Sequence, residues 1–420
     1  MPFSPLIALR YRNFRLLWWG QLISFSGSMM QNAAILWHVS LLVPENQKGI
    51  ALGLVGLMRL IPIVGFSLIA GVVADAVDRR KLMLITQTMV MAISAVLAFI
   101  TFSGLKVVWP IYLLSVLSAA AGSFDSPARS SLMPMLVPRE HLPNAISLNS
   151  FMFQVAAIVG PALAGVVIAS LNVGWAYVFN TISFLSVILA LLLMRDLPPP
   201  LEKDKRDISL KAGLDGFRFV FSSPMIRSTM LLDFFATFFA SANALLPIFA
   251  QDILHVGAAG YGWLSAAPSV GAMIAVTAMV PITERLERQG WVMFWSVIGY
   301  GLATIVFGFS RNFWLTFFCL ALTGATDTVS AIVRNLIRQI TTPDYMRGRM
   351  TSVNMVFFMG GPQLGELEAG ALTNWIGAPL SVITGGIACL IVTIWVVLKT
   401  PSLLAYHADD QKLVTRGAGD

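Results

Sequence analysis

The chain has 420 residues, of which 57% are hydrophobic and only 12% are charged. A water-soluble domain cannot bury so large an apolar surface, so the composition excludes that class and indicates a polytopic membrane protein. The formal net charge of +7 does not imply a nucleic acid partner, because basic residues on cytosolic loops account for it. Cys319 and Cys389 both fall in apolar segments, and they predict neither a disulfide nor a metal site.

Twelve apolar segments follow one another along the chain. Their length of about 20 residues matches an α-helix that crosses the hydrocarbon core, and they lack the alternation of barrel strands. The sequence therefore predicts an all-α polytopic membrane protein of twelve transmembrane helices. Their approximate limits are 14–42, 50–74, 82–104, 108–126, 145–170, 174–194, 227–250, 258–282, 291–309, 312–334, 350–373 and 378–398.

The distribution of basic residues predicts which helix ends face the cytoplasm. If both termini are cytoplasmic, 24 of the 28 lysines and arginines lie on inner segments. The outer loops then hold only Lys48, Lys106 and Arg311, and Arg59 lies inside a span. Because this asymmetry follows the positive-inside rule, we expect both termini in the cytoplasm.

A polar insert after the sixth helix divides the chain into two halves. It opens with three prolines and ends in a stretch from Leu210 to Phe221 with apolar residues at helical spacing. This pattern predicts a linker followed by an amphipathic helix at the inner interface. The expected organisation is a six-helix bundle at 1–196, a cytoplasmic linker at 197–226, a second six-helix bundle at 227–400 and a cytoplasmic tail at 401–420.

The two halves carry related motifs. An acidic, apolar, acidic, arginine order runs from Asp75 to Arg79 and recurs from Glu284 to Arg288. The tetrapeptide that begins with Gly160-Pro161 in the fifth helix resembles the one at 361–364 in the eleventh. Internal duplication of this kind is typical of secondary transporters.

The segment between the second and third helices resembles the loop signature of the major facilitator superfamily. Gly71, Asp75, Arg79 and Arg80 match that signature, while Ala76 departs from it. Several further stretches resemble the branch of drug and siderophore exporters, which includes enterobactin and macrolide efflux proteins. They are 57–62, 126–129, 134–138, 342–344, 347–349 and 364–370.

The resemblance implies an inner latch at this loop. In it, Asp75 faces a helix end near Arg349, helped by the helix dipole, and Arg129 completes a charge network. The predicted latch residues are Gly71, Asp75, Asp78, Arg79, Arg80 and Arg129. The alternative is that Asp75 only flanks its helix and that the arginines only set topology.

Arg59 lies inside the second helix, where an arginine needs a partner. The resemblance makes the second and eleventh helices neighbours, and Glu366 lies at a matching depth at 1.5 Å per residue. We therefore expect an Arg59–Glu366 pair that closes the outer side and loses its attraction when Glu366 is protonated. Glu368 points elsewhere. The alternatives are a static bridge or an Arg59 site for an anionic substrate.

Asp327 and Asp233 are further candidates for proton coupling or for binding a cationic substrate. The alternative is that either carboxylate pairs with Arg334 or Arg338, or that Asp233 reaches the inner interface. Asp125 precedes Ser126-Pro127, where we expect a new helix to begin with Asp125 as its cap.

Small and polar residues complete the candidates. Gly160, Pro161 and Gly165 resemble an exporter signature in which the fifth helix packs closely on the eighth, although ordinary small-residue packing is an alternative. The resemblance assigns the central cavity to helices 1, 4, 7 and 10. Its candidate lining is Gln31, Asn32, Tyr112, Phe238 and Asn243, which suits an amphipathic ligand, while packing against lipid or core is the alternative.

The sequence predicts a secondary active transporter, not an enzyme, since no phosphate loop, zinc helix or nucleophile elbow occurs in it. The expected activity is proton-coupled efflux of an amphipathic, drug-like or siderophore-like small molecule by alternating access. We expect no cofactor, a monomer in the bilayer and, by resemblance, a location in the bacterial inner membrane. The alternatives are a metabolite or lysolipid importer or uniporter, and a membrane sensor that does not transport.

Overall fold

A computed structural model describes residues 6–195, 217–279, 288–343 and 346–404. The described part is all-α and contains twelve long helices. They are α1 (Arg12–Leu42), α2 (Lys48–Ala76), α3 (Arg79–Phe102), α4 (Trp109–Leu132), α5 (Leu142–Ser170), α6 (Val173–Leu193), α7 (Pro224–Ala240), α8 (Gly257–Met279), α9 (Gln289–Phe309), α10 (Phe313–Thr341), α11 (Arg347–Ile376) and α12 (Ala378–Lys399).

Nine of these helices in the described residues are both long and apolar enough to cross a bilayer, and α1, α4 and α11 are the remaining three. The three have sufficient length, at 31, 24 and 30 residues. Each carries polar residues among its apolar ones, such as Gln21 in α1, Asp125 in α4 and Glu366 in α11. For these three helices the spanning role stays a prediction.

The chain folds into two compact units. They correspond to the two halves of the sequence except for two segments, each of which belongs to the unit of the other half. The first unit comprises Met1–Glu45, Leu57–Arg206 and His255–Ala266. The second unit comprises Asn46–Gly56, Asp207–Leu254 and Ala267–Asp420. The first turns of α2 therefore belong to the second unit, and the first half of α8 belongs to the first unit.

Within the first unit, α1 is the central helix and packs on α5 and α6, while α3 packs on α4 and α6. Its core includes Leu17, Met83, Leu132, Met152 and Leu191. Within the second unit, α7 packs on α11 and α12, while α9 packs on α10 and α12. The second set of helix contacts repeats the first with an offset of six helices, as the duplicated motifs predict.

Glycines lie where helices approach each other most closely, at related positions in both units. A Cβ built on Gly160 of α5 would meet Met29 of α1, whereas one built on Gly165 would lie 2.8 Å from the Gly262 Cα of α8. In the second unit, a Cβ on Gly365 of α11 would meet the Phe238 backbone of α7. One on Gly53 of α2 would lie 2.8 Å from the α11 backbone at Leu367. Each repeat thus packs one helix against two others through glycine.

Helix α7 ends at Ala240, about ten residues before the predicted end of that span. Ser241 has an extended ψ of 98°, and the chain then continues through a 3-10 turn at Asn243–Leu245 and a π-helical turn at Phe249–Ile253. Non-helical backbone at membrane depth is tolerated where it lines a cavity or is buried in protein.

The expectation that a new helix begins after Asp125 is wrong. Helix α4 runs through Pro127 to Leu132, because a proline within a membrane helix can be accommodated when neighbouring groups satisfy the freed backbone. Of the predicted amphipathic helix before α7, residues 217–222 are helical. The rest of it, with the linker, lies outside the described residues.

Candidate functional site

A cavity of about 110 Å³ lies at the break of α7 in the second unit. The Tyr300 hydroxyl of α9 donates to the Ala240 carbonyl at 3.3 Å, which satisfies one of the orphan acceptors that a helix end exposes. The remaining wall combines apolar with polar side chains. It comprises Ala242, Asn243, Pro268, Thr304, Phe307, Leu320, Thr323, Gly324 and Asp327.

An ion cluster lies next to this cavity, formed by one arginine and two aspartates. Arg334 of α10 is 1% exposed, and its Nη2 lies 2.8 Å from Asp233 Oδ1 of α7 and 3.2 Å from Asp327 Oδ1. Its Nη1 donates to Ser330 Oγ at 2.9 Å. Asp327 and Arg334 are seven residues apart, two turns of one helix, so they share a face. The predicted alternative of pairing with Arg334 thus describes both aspartates.

The two carboxylates of this cluster differ in their access to the cavity. The side chain of Asp233 is 3% exposed, whereas that of Asp327 is 40% exposed and belongs to the cavity wall. One guanidinium neutralises one carboxylate, so these three residues carry one net negative charge when all are ionised, with the buried Arg338 not included in the count. A single proton on Asp327 makes the three neutral, and a buried charge is far more costly than a buried neutral group.

Arg338, one turn after Arg334, is a second buried cation in α10. It donates to the side-chain oxygens of Asn335 and of Asn354, which belongs to α11. Arg338 thus ties α10 to α11 through neutral acceptors, while Arg334 takes the acidic ones.

The predicted inner latch is described in part. Asp78 caps α3, because its carboxylate accepts a hydrogen bond from the Lys81 amide at 3.1 Å. Arg80 donates to the Leu192 carbonyl near the end of α6 at 3.1 Å, and Arg79 is buried against Met135. These contacts fix helix ends within the first unit. Gly71 and Asp75 belong to α2, but the surroundings of Gly71 and the side chain of Asp75 lie outside the described part, so their latch role stays a prediction.

Asp125 bonds sideways from α4 to α3 instead of capping a helix. Its Oδ1 accepts from Gln87 Nε2 at 2.8 Å and from Thr86 Oγ1 at 3.2 Å. Arg129 lies one turn later, with Nη1 3.8 Å from Asp125 Oδ2, and its Cζ lies 4.4 Å from the ring centre of Phe25. Within the described part, Arg129 therefore contributes to the interior of the first unit.

The glycine seam between α2 and α11 positions Glu366. A Cβ built on Gly56 would lie 2.7 Å from Glu366 Oε2, so the carboxylate lies against α2 one turn before Arg59. Arg59 and Glu366 belong to different units, and their pairing stays a prediction. Glu368, two positions on, is half-buried.

An ion pair between a buried lysine and a partly exposed aspartate is not predicted from the sequence. Lys48, counted as an outer-loop charge, is the first residue of α2 and is 8% exposed. Its Nζ contacts both carboxylate oxygens of Asp252, at 2.8 and 3.0 Å. Both residues belong to the second unit. Only the position of Lys48 directly before an apolar run could have indicated that it is not a free loop residue.

The residues predicted to line a central cavity have different surroundings. Asn243 lines the cavity at the α7 break, and Phe238 stacks on Phe234 with ring centres 5.8 Å apart. Gln31 is buried and accepts hydrogen bonds from Ser94 at 2.5 Å and Asn180 at 2.8 Å. Asn32 and Tyr112 are half-buried. Of the five predicted residues, Asn243 is thus the one that the second unit brings beside Asp327.

Comparison with known proteins gives a match over almost the whole chain. The family model described as transmembrane secretion effector matches residues 2–414. The enterobactin exporter EntS of Citrobacter koseri is 27% identical over 401 residues, which are 94% of this chain and 93% of the relative. The enterobactin exporter EntS of Escherichia coli O6:K15:H31 is also 27% identical, over 84% of this chain and 83% of the relative.

Solved structures share the fold at low sequence identity. A POT family transporter in complex with a thioalcohol-conjugated peptide superimposes with a TM-score of 0.74 at 11% identity, over 93% of this chain and 96% of its own. The nucleoside transporter NupG gives 0.74 at 11% identity, over 92% and 99%. A bacterial homologue of the lysosomal transporter Spinster gives 0.68 at 14% identity, over 97% of both. These likenesses confirm the predicted fold class.

Proposed function

Because the chain belongs to the transmembrane secretion effector family of the major facilitator superfamily, we propose that it exports an amphipathic small molecule by alternating access, in exchange for protons. Two of its relatives are named enterobactin exporters, which supports an outward direction across the bacterial inner membrane. One chain supplies both the ion cluster and its cavity, which supports a monomer. The distribution of basic residues supports cytoplasmic termini.

The ion cluster beside the α7 break is the observation that carries the proposal. Proton coupling needs an acid that can change its charge inside the protein and that a proton can reach. Asp327 combines both properties, since it shares Arg334 with Asp233 and its side chain is 40% exposed at a cavity wall. Embedded carboxylates of this kind are typical of proton pathways in membrane transporters.

Protonation of Asp327 changes the cavity without dismantling the cluster. Arg334 keeps its 2.8 Å contact with Asp233 when the 3.2 Å contact with Asp327 loses its charge. A compound that binds beside Asn243 and Asp327 then meets a wall that differs by one full charge between the two states. That difference in affinity is the condition under which a proton can drive a second ligand.

The test is a proton-flux assay in inverted membrane vesicles with a pH-sensitive dye and a panel of amphipathic compounds that includes enterobactin. The wild type is expected to dissipate a preformed proton gradient when its substrate is added. D327N is expected to abolish substrate-dependent proton release, because it removes the one accessible titratable group of the cluster. D327E is expected to retain part of it.

The matched control is E140Q, which removes an exposed carboxylate and is expected to leave proton release unchanged. Substrate movement with no proton release in the wild type would indicate a uniporter and contradict the coupling. Movement of protons and substrate together out of the inverted vesicles corresponds to entry into the cell and would indicate an importer. A chain that binds these compounds but moves none of them would support the sensor alternative.

A further inference from the structure

A second cavity, of about 260 Å³, lies in the first unit at the ends of α1, α4 and α5. Its wall includes Gln21 from α1, Ser126 and Arg129 from α4, and Asn149 and Phe153 from α5. The predicted orientation places these helix ends at the cytoplasmic face. The cavity is therefore open to compounds that arrive from the cytoplasm.

Arg129 presents hydrogen-bond donors to this cavity. Its Cζ lies 4.4 Å from the ring centre of Phe25 and 5.2 Å from that of Phe153. The two ring centres are themselves 4.4 Å apart, so both rings lie on the same side of the guanidinium. Its five N–H donors lie at the edge of the guanidinium plane, and within the described part of the chain none of them makes a hydrogen bond to the protein. The 3.8 Å approach to Asp125 exceeds hydrogen-bond length.

The nearby Asp125 carboxylate does not prevent an anion from binding in the cavity. Its Oδ1 is held by Gln87 and Thr86 of α3, and Asp125 is absent from the wall. Asp125 and Arg129 do not form a bidentate ion pair, which is the strongest arrangement of a carboxylate and a guanidinium. Arg129 thus retains donor capacity for a ligand.

Gln21 is the independent sign of a missing partner. It is 5% exposed and lines the cavity, and among the described residues its Nε2 has no hydrogen-bond acceptor. Buried polar groups are nearly always hydrogen-bonded, because an unmet donor is unfavourable. A ligand oxygen in the cavity would satisfy it.

We propose that this cavity binds the anionic group of an organic anion, a carboxylate, phenolate or sulfonate on a flat apolar body, as the compound enters from the cytoplasm. Arg129 and Gln21 hold the oxygens, and Phe14, Leu17 and Met133 contact the apolar body. This inference rests on the proposed export function, and it places the anionic group of the cargo in the first unit, not beside Asp327 of the second unit.

The experiment measures binding by calorimetry to the purified full chain in lipid-free detergent. The probes share one ring system: 2-naphthoate, 2-naphthol and 2-naphthylmethylammonium. The wild type is expected to bind naphthoate about tenfold more tightly than the ammonium compound, because the Arg129 guanidinium attracts a carboxylate and repels an ammonium group. R129Q is expected to lose about tenfold for naphthoate and little for naphthol, and R129K to recover part of the loss.

The matched control is R139Q, which removes an exposed arginine at the same end of the unit and should leave naphthoate affinity unchanged. If R129Q unfolds, Q21L reports in its place, with an expected loss of about threefold. Equal naphthoate affinity in the wild type, R129Q and Q21L, all folded, would overturn the proposal.

Two further measurements distinguish a cargo site from a lipid headgroup site and test the anion site separately from the proposed export. Displacement of naphthoate by phosphatidylglycerol in nanodiscs would make the cavity a lipid headgroup site and overturn its role for cargo. Naphthoate binding is measured without a proton gradient, so it tests the cavity independently of coupling. Selective anion binding without substrate-dependent proton release would contradict the proposed function and leave the anion site standing.

Discussion

At the scale of single residues, the second unit places three charges so that their roles differ. Asp233 is closed off and holds Arg334 at 2.8 Å, while Asp327 faces the cavity. Asp233 thus keeps a buried cation neutralised, whereas under the proposed coupling Asp327 exchanges protons with the cavity. The two aspartates differ in burial, and the proposal assigns them different roles for that reason.

This difference predicts that D233N destabilises the protein more than D327N does. Removing one partner of a buried ion pair costs about 3–5 kcal/mol, and Arg334 is 1% exposed. The loss of Asp327 leaves the Asp233 contact in place and is expected to cost about 1 kcal/mol. Thermal unfolding of the purified variants checks the order, and equal unfolding temperatures would contradict it.

Several of these residues could be found from the sequence and others could not. Asp233 and Asp327 stand out because a carboxylate inside an apolar segment needs a reason. Lys48 does not stand out, since its partner Asp252 is 204 positions away and a lysine before a span looks like an ordinary loop charge. The prediction that Asp125 caps a new helix is wrong. Ser126-Pro127 resembles a helix start in the sequence, but α4 continues through Pro127 to Leu132.

At the scale of elements, glycine seams determine how closely helices approach. In the first unit α5 meets α1 at Gly160 and α8 at Gly165, and in the second unit α11 meets α7 at Gly365 and α2 at Gly53. The sequence predicted the seam at the fifth helix from a resemblance. Its counterpart at the eleventh helix follows from the duplicated tetrapeptide only once the contacts are known.

G165L is expected to lower stability, because a Cβ at Gly165 already lies 2.8 Å from the Gly262 Cα. Overpacking of this kind typically costs about 1–3 kcal/mol. The temperature of thermal unfolding and the rate of substrate efflux are both expected to decrease. The control is G122L in α4, where a Cβ would have no neighbour within 4 Å, and an equal effect at both positions would refute the explanation.

The Lys48–Asp252 ion pair joins the first turn of α2 to the π-helical turn at Phe249–Ile253, and it can be tested by charge exchange. K48D is expected to cost about 1 kcal/mol, because it replaces an ion pair that is partly exposed at Asp252 with two neighbouring acids. K48D/D252K is expected to recover at least half of that loss. A double-mutant cycle on unfolding temperature measures the coupling, and additive single effects would contradict a direct interaction.

At the scale of the whole molecule, the two units repeat one order of helix contacts with an offset of six. The duplicated motifs and the polar insert after the sixth helix indicate this repeat in the sequence. It does not indicate that Asn46–Gly56 belongs to the second unit and His255–Ala266 to the first. Hydropathy and charge are properties of each segment, whereas membership of a unit depends on which distant glycines and side chains a segment meets.

This division predicts the behaviour of separated halves. Fragments 1–206 and 207–420, expressed together, are expected to restore substrate efflux, because each supplies the segment that completes the other unit. Either fragment alone is expected to be degraded faster than the pair. Pulse-chase labelling checks the lifetimes, and a first fragment as long-lived alone as with its partner would contradict the exchange of segments.

The buried Lys48 also has a consequence for the order of synthesis. Its partner Asp252 lies 204 residues later in the chain, so the ribosome has released many further helices before that positive charge can be neutralised. Until then, the newly inserted start of α2 has to stay at the membrane surface, where water solvates the ammonium group. The start of α2 therefore reaches its final position late in biogenesis, after the π-helical turn that follows α7 has been synthesised.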